Sequence, residues 1–176
     1  YIDKKGQQRE CMASVSLCMI VRNEEQVLGR CLSCVKDFAD EIIIVDTGSN
    51  DKTKEIASLF TDQIYDFPWI DDFAAARNFA FQKGTGDYLF WLDAVITEEE
   101  QKKLMKLKMR LDQEKPDVVM MKYAVGYDGS GSPSFFFYRE RLLRRCERAV
   151  WKGRIHEVIE PFGKTVREDI LIEHRK

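Results

Sequence analysis

Glu41-Ile-Ile-Ile-Val-Asp46 runs directly into Thr47-Gly-Ser-Asn50, and this junction decides the fold of the chain. Consecutive β-branched apolar residues between two acids are typical of a strand that is buried on both faces. Thr, Gly, Ser and Asn are residues of tight turns and helix N-caps, so a helix is predicted to follow over 51–60. A buried strand that turns into a helix indicates an α/β protein.

The same strand-and-helix unit recurs on both sides of this junction. Each apolar strand segment is followed by a stretch whose apolar residues recur every three or four positions, as on one face of a helix. The predicted strands are 14–21, 41–46, 63–67 and 87–93, and the helices begin near Arg22, Asp51, Asp71 and Thr97, the last ending near Leu111. This alternation predicts a mostly parallel central sheet covered by helices on both faces.

The second half of the chain has a different pattern, which predicts a mixed β region. Its predicted strands are 117–125, 134–138, 139–143, 154–160 and 169–174. We expect both halves to form one domain over 14–176, with a nucleotide-binding part over 14–112 and an acceptor-binding or catalytic part over 113–176. The polar residues 1–13 are expected to form a disordered tail.

The composition is that of a globular protein. Hydrophobic residues make up 44% and charged residues 33% of the 176 residues, which suits a chain with its own core. The net charge of -2, from 28 basic and 30 acidic residues, argues against a nucleic-acid partner. His156 and His174 are the two histidines of the sequence, which excludes a His-rich metal site.

The five cysteines, an odd number, indicate reduced thiols and a cytoplasmic location rather than a disulfide scaffold. Cys31-x-x-Cys34 lies in a predicted helix, where core packing is favoured over a metal or redox role. The apolar run 12–21 is too short to span a membrane, and residues 1–10 do not resemble a signal peptide. The four arginines of 139–145 raise the alternative of a peripheral membrane contact, although a solvated strand face is favoured.

Polar residues follow the predicted strands at the edge of the sheet where α/β proteins bind ligands. Arg22, Asn23 and Glu24 follow the first strand, Asp46 ends the second and Asp93 ends the fourth. Each acid has a structural alternative, since acids cap turns and stabilise helix N-termini. Arg22 is not explained in that way, because a cation at a helix N-terminus is unfavourable.

Two further candidates lie outside these strand ends. Arg77 follows three alanines in a predicted helix, and a guanidinium suits a phosphate because it donates two parallel hydrogen bonds; a surface ion pair is the alternative. Glu157, next to His156, is a candidate general base, because a carboxylate near a hydroxyl can take its proton. The alternative there is a polar strand edge.

Taken in order, the motifs resemble the family 2 glycosyltransferases of the Rossmann-like GT-A fold. They are Ser16-Leu-Cys-Met-Ile-Val-Arg-Asn-Glu-Glu25, Val45-Asp-Thr-Gly-Ser-Asn-Asp-Lys-Thr53, Ala76-Arg-Asn78 and Gly86-Asp-Tyr-Leu-Phe-Trp-Leu-Asp-Ala94. Trp151-Lys-Gly-Arg-Ile-His-Glu157 further resembles the bacterial subgroup that includes lipopolysaccharide core glucosyltransferases and peptide S-glycosyltransferases. The resemblance covers nearly the whole chain, over 14–174.

This resemblance implies an inverting sugar transfer from a nucleotide-sugar, usually a UDP-sugar, with Mg²⁺ or Mn²⁺ as cofactor. It implies Glu157 as the catalytic base, Asp46 as a ligand of the nucleotide base and Asp93 as the first acid of the DxD motif. The nucleotide-sugar-binding positions that it implies are Arg22, Asn23, Glu24, Asp46, Arg77, Asp93 and His156, and the metal positions are Asp93 and His174. The implied acceptor is a saccharide, a lipid-linked sugar or a peptide, and a homodimer is left open.

The sequence departs from the family pattern after Asp93. The family pattern is Asp-Ala-Asp-Asp, whereas here Asp93-Ala94 is followed by Val95-Ile96, so that the second acid is missing. A genuine deletion would give a weak or metal-independent enzyme. The alternative is that the protein has an acidic loop at this point which is missing from this sequence. The fit of the flanking residues to the family pattern favours this alternative. Because such enzymes often carry a further C-terminal region, truncation after Lys176 is also expected.

Two functional interpretations follow from these motifs. The first is an active glycosyltransferase, and the second is a catalytically impaired nucleotide-sugar-binding module, which the missing acid favours. A sugar-phosphate nucleotidyltransferase is disfavoured, since that class needs a glycine-rich loop after the first strand and residues 22–25 contain no glycine.

Overall fold

The computed structural model describes residues 12–173 as one seven-stranded sheet with four helices. The strand order across the sheet is β3-β2-β1-β4-β6-β5-β7. The strands are β1 (Val15–Val21), β2 (Glu41–Asp46), β3 (Ile64–Asp66), β4 (Tyr88–Phe90), β5 (Val118–Tyr127), β6 (Pro133–Arg144) and β7 (Thr165–Glu173). The helices are α1 (Leu28–Ser33), α2 (Thr53–Ala57), α3 (Phe73–Lys83) and α4 (Glu98–Glu114).

The first half of the sheet is parallel, as the alternation of strands and helices predicts. β1 pairs in parallel with both β2 and β4, and β2 pairs in parallel with β3. The second half is mixed, because β6 is antiparallel to both β4 and β5 while β5 and β7 are parallel. The predicted α/β fold with a mostly parallel sheet and a mixed second half is therefore confirmed.

Hydrophobic residues of the sheet point alternately into clusters on its two faces, as strand periodicity requires. On β1, Val15, Leu17, Met19 and Val21 join the cluster formed with α1 and α4, whereas Cys18 joins the cluster formed with α3. Both faces of β1 are thus buried, which explains why its sequence is a continuous apolar run.

Helix α1 begins later than the sequence predicts. Asn23 adopts a left-handed φ of 53°, and the turn that follows is closed by hydrogen bonds from the Val27 and Leu28 amides to the Glu24 carbonyl. Regular helix therefore starts at Leu28 rather than near Arg22. Residues 22–27 remain a loop at the carboxyl end of β1, where they are available to a ligand.

The predicted strand over 154–160 is wrong. This segment is an irregular loop whose described pairing is a single bridge between Lys152 and Val158. Gly153 and His156 have φ values of 96° and 58°, which a regular strand cannot accommodate. The predicted strands 134–138 and 139–143 are in fact one continuous strand, β6.

The arginines of 139–145 do not form a free basic surface. Arg141 is fully buried, the Arg144 guanidinium is 3.4 Å from Asp117, and Arg145 donates to the Gly86 carbonyl at 2.8 Å. These contacts engage three of the four arginines within the protein, and the peripheral membrane contact of this stretch stays a prediction. Within residues 12–173, no helix combines the length and the apolar character that crossing a bilayer requires.

Gly86→Ala is expected to destabilise the fold, because Gly86 lies directly against β1. A Cβ atom there would lie 2.9 Å from the Ser16 amide nitrogen and 3.1 Å from the Ser14 carbonyl oxygen, and backbone atoms cannot move aside easily. The free energy of unfolding should fall by about 1–3 kcal/mol in urea denaturation. Gly129→Ala is the control, since nothing lies within 4 Å of a Cβ there. Equal stability of the two variants would contradict this packing.

Candidate functional site

The carboxyl ends of β1 and β4 border a cavity of about 370 Å³. The two strands are parallel neighbours, so the loops that follow them leave the sheet at the same edge. Asn23 and Glu24 from the loop after β1 and Asp93 from the loop after β4 line this cavity, together with Gln26 and apolar residues of α1. The structure thus brings together three of the residues that the sequence predicts as nucleotide-sugar ligands.

The loop after β1 is hydrogen-bonded to the loop after β2. The Asn23 amide donates to Ser49 Oγ at 2.9 Å, and the Asn50 amide donates to Asn23 Oδ1 at 2.8 Å. The Glu24 amide donates to Thr53 Oγ1 at 2.8 Å. Because the side chain of Asn23 and the backbone of Glu24 are held in this way, the exposed Glu24 carboxylate is presented at the cavity wall.

Asp46 lies one strand further along the same edge and is 1% exposed. Its Oδ2 accepts hydrogen bonds from the amides of Gly48 and Ser49, at 3.0 Å and 2.9 Å, which close the turn after β2. Gly48 has a φ of 107°, so this turn favours glycine there. Asp46 Oδ1 is buried and has no hydrogen-bond partner among the described residues, an unusual state for a buried carboxylate oxygen.

Asp93 is held by Arg141, a residue of β6. Arg141 Nη1 donates to Asp93 Oδ1 at 2.9 Å, and the Arg141 side chain is fully buried while that of Asp93 is about one-third exposed. The guanidinium carbon lies 3.7 Å from the centroid of Trp91 and 4.7 Å from that of Tyr123. Burial lowers the pKa of Arg141, and the charge of Asp93 opposes that shift.

Glu157 is paired with Arg77. Arg77 Nε donates to Glu157 Oε1 at 2.8 Å, and both side chains are largely buried. The Arg77 guanidinium also lies 4.6 Å from the centroid of Trp91 and 4.8 Å from that of Trp151. Arg77 is not among the residues that line the cavity; it lies beside the predicted base, and its nucleotide-binding role stays a prediction.

The same Trp91 ring therefore connects the two acids of the site. Arg141, which holds Asp93, and Arg77, which holds Glu157, both contact this indole, and the Trp91 ring N–H donates to the Glu140 carbonyl. The arginines that hold Asp93 and Glu157 are thus both packed on one buried aromatic residue.

The remaining predicted residues are Arg22, His156 and His174. Arg22 and His156 are exposed, and neither lines the cavity. His174 lies outside the described residues.

Residues 16–170 match the family model described as Glycosyl transferase family 2. The chain belongs to glycosyltransferase family 2. The resemblance inferred from the ordered motifs is thereby confirmed. In this family 2 domain, the matched segment extends from β1 into β7 and includes Asp46, Asp93 and Glu157.

Two curated relatives match most of this chain. Glycosyltransferase SunS, encoded by the SPbeta prophage of Bacillus subtilis, is 28% identical over 162 residues, which cover 90% of this chain and 37% of SunS. The lipopolysaccharide core biosynthesis glycosyltransferase LpsC of Rhizobium meliloti is 29% identical over 161 residues, which cover 85% of this chain and 58% of LpsC. The chain thus spans less than two thirds of the length of either relative.

A solved structure shows the same fold. Glucosyl-3-phosphoglycerate synthase from Mycobacterium tuberculosis, crystallised with Mn²⁺, UDP-glucose and phosphoglyceric acid, matches with a TM-score of 0.53 and 19% identity. The match covers 65% of this chain and 45% of the synthase. The family 2 domain therefore has a GT-A-like α/β fold.

The described residues do not fit a divalent metal ion. Of the predicted ligands, Asp93 has its Oδ1 occupied by Arg141, and His174 lies outside the described part of the chain. Within residues 12–173, no three His, Cys, Asp or Glu side chains come together as a metal-binding group. Mg²⁺ and Mn²⁺ prefer several oxygen ligands, and the residues that follow Asp93 are Ala94, Val95 and Ile96.

The sequence analysis missed Arg141 and Asn78. Arg141 stands in the run Glu140-Arg-Leu-Leu143, where a charged residue beside two leucines of a strand signals a buried ion pair. Asn78 donates from Nδ2 to the Trp151 carbonyl at 3.0 Å and accepts from the Trp151 amide at 2.8 Å. It thus fixes the start of the loop that carries Glu157.

Asn78→Ala should lower the free energy of unfolding by about 1–3 kcal/mol, because it leaves both buried backbone groups of Trp151 without partners. Gln82→Ala, on an exposed position of the same helix, is the control and should change stability by no more than about 0.5 kcal/mol. Urea denaturation followed by tryptophan fluorescence measures both. If Asn78→Ala were as stable as the control, the two hydrogen bonds would not hold this loop.

Proposed function

We propose that this domain is an inverting glycosyltransferase that takes its sugar from a UDP-sugar, and that the cavity between β1 and β4 binds the donor. The observation that carries this proposal is the meeting of Asn23, Glu24 and Asp93 at this cavity in a family 2 domain. The acceptor is proposed only as a hydroxyl or another nucleophile. The name of LpsC refers to the lipopolysaccharide core, whereas the name of SunS states no acceptor.

The nucleotide end of the donor is assigned to the loops after β1 and β2. Asn23 and Glu24 lie at the cavity wall in the loop after β1. This loop is already hydrogen-bonded to the loop after β2, so little ordering of either loop is needed when the donor binds. The unpartnered oxygen of Asp46 needs a donor, and the imide N–H of uracil would supply one. This supports a role for Asp46 in holding the base.

The transfer step is assigned to Glu157. Arg77 Nε donates to Oε1 of this carboxylate at 2.8 Å, which fixes the direction in which the carboxylate can meet a hydroxyl. Glu157 removes the proton of the acceptor hydroxyl as that oxygen bonds to the anomeric carbon of the sugar. The bond between that carbon and the phosphate oxygen breaks, and UDP leaves with the electron pair. Attack opposite the leaving group inverts the anomeric configuration.

A nucleotide-sugar-binding module without turnover is the second candidate. Two observations favour it. Asp93 and Glu157 are each held in an ion pair, with Arg141 and Arg77 respectively. The second acid of the family pattern is also missing after Ala94. In that case the cavity would bind the donor while the ion pairs keep both carboxylates occupied. The two candidates differ in turnover and agree in nucleotide binding.

Calorimetric titration with UDP and with GDP, followed by UDP release from UDP-glucose and UDP-N-acetylglucosamine, tests this function. UDP should bind more tightly than GDP. Glu157→Gln should lower the rate of UDP release by about 100-fold or more, the contribution of a general base, with UDP affinity unchanged. Glu160→Gln is the control, since Glu160 is exposed and pairs with Lys152.

The outcomes separate the candidates. If neither UDP nor GDP binds, the proposal that this cavity is the donor site is wrong. Tight UDP binding without any UDP release from the wild-type protein would favour the binding module. Equal rates for Glu157→Gln and Glu160→Gln would remove Glu157 from the role of base.

A further inference from the structure

We infer that Asp93 binds the donor through hydrogen bonds without a divalent metal, and that Arg141 is the positioning residue that makes this possible. The inference rests on the proposed donor site. It concerns how the acid at the carboxyl end of β4 is held, which neither the family match nor the relatives assign.

The geometry fixes Arg141 in place. Its side chain is fully buried, its Nη1 is 2.9 Å from Asp93 Oδ1, and its guanidinium lies on the ring of Trp91 at 3.7 Å. Its carbonyl accepts the backbone amide of Trp91 at 3.2 Å, so the backbone and the side chain of Arg141 both contact the same residue. An arginine so enclosed cannot turn away to release the carboxylate, and it stays charged.

A metal ion on Asp93 would meet this fixed cation. Any divalent ion bound to that carboxylate lies within a few ångström of the guanidinium, and like charges at such distances repel strongly in a partly buried site. The three residues directly after Asp93, which are Ala94, Val95 and Ile96, carry no ligand side chain. A carboxylate whose charge is already balanced is suited instead to accept hydrogen bonds from a ribose or sugar hydroxyl.

Arg141 acts through Asp93 and does not itself touch the donor. Cavity-lining residues include Asp93 but not Arg141, which lies behind it. Arg77 and Arg139 also lie against Trp91, at 4.6 Å and 5.2 Å, and each is paired with its own acid, Glu157 and Glu140. Each of the three arginines thus has one carboxylate partner, while Arg139 Nε and Arg141 Nε and Nη2 are buried without a hydrogen-bond partner among the described residues.

Calorimetric titration of the wild-type protein with UDP, in EDTA and in Mn²⁺, tests the inference. We expect the two dissociation constants to differ by less than about twofold, a negligible free-energy difference. Strengthening of UDP binding by Mn²⁺ of about tenfold or more would overturn the inference while leaving the donor site intact. Failure of UDP to bind in either condition would instead overturn the proposed function.

Variants test the role of Arg141 separately. Arg141→Met should weaken UDP binding in EDTA by about tenfold or more, because Asp93 loses a charge-assisted hydrogen bond. Mn²⁺ should then restore part of this loss, since the Arg141 guanidinium no longer faces Asp93; a purely structural role would not produce this metal dependence. Arg141→Lys should retain part of the affinity, because it keeps the charge but not the planar fork.

Arg144→Met is the matched control, since Arg144 lies on the same strand and contacts Asp117 and the carbonyls of Lys115 and Pro116. It should bind UDP as the wild-type protein does. Equal UDP affinity of Arg141→Met and Arg144→Met in EDTA would overturn the positioning role. If Arg141→Met does not fold, Arg141→Lys carries the test, and UDP affinity of Arg141→Lys equal to that of Arg144→Met in EDTA would likewise overturn the positioning role.

Discussion

The buried charge of Arg141 is the constraint on which the candidate site depends. Removing a guanidinium from water costs several kcal/mol unless an opposite charge balances it. That cost is about as large as the free energy of unfolding of a whole domain. Here Asp93 supplies the opposite charge, and the rings of Trp91 and Tyr123 supply electron-rich faces. The direction of the Asp93 carboxylate is therefore tied to the packing of the core and not to a surface loop.

This constraint joins the two halves of the chain. β6 inserts antiparallel beside β4, so that Arg141 of the second half reaches the strand end of the first half. Arg77 on α3 contacts the same Trp91 and holds Glu157, which comes from the loop after β6. Asp93 and Glu157 are thus both held by arginines that pack on one indole, and this contact ties together two halves of the chain whose sequence patterns differ.

Local patterns predicted the order of the elements because each pattern has a local cause. The apolar run before Asp46 is buried on both faces, and the residues after it form the turn that closes on the Asp46 carboxylate. The loop 154–160 was predicted wrongly for the opposite reason: its alternating residues resemble a strand, but left-handed φ values at Gly153 and His156 limit its pairing to the single bridge between Lys152 and Val158. A pattern does not show whether a partner strand is present.

By itself, the sequence determined the α/β class, the strand ends at which the polar residues gather, and membership of glycosyltransferase family 2. These depend on periodicity, turn chemistry and ordered motifs, all of which are local. Only the tertiary structure decided which charges meet. Arg77 pairs with Glu157, and Asp93 with Arg141, across long stretches of chain. Such pairs form because buried charges must be compensated where the folded core places them, and spacing along the chain carries no information about that place.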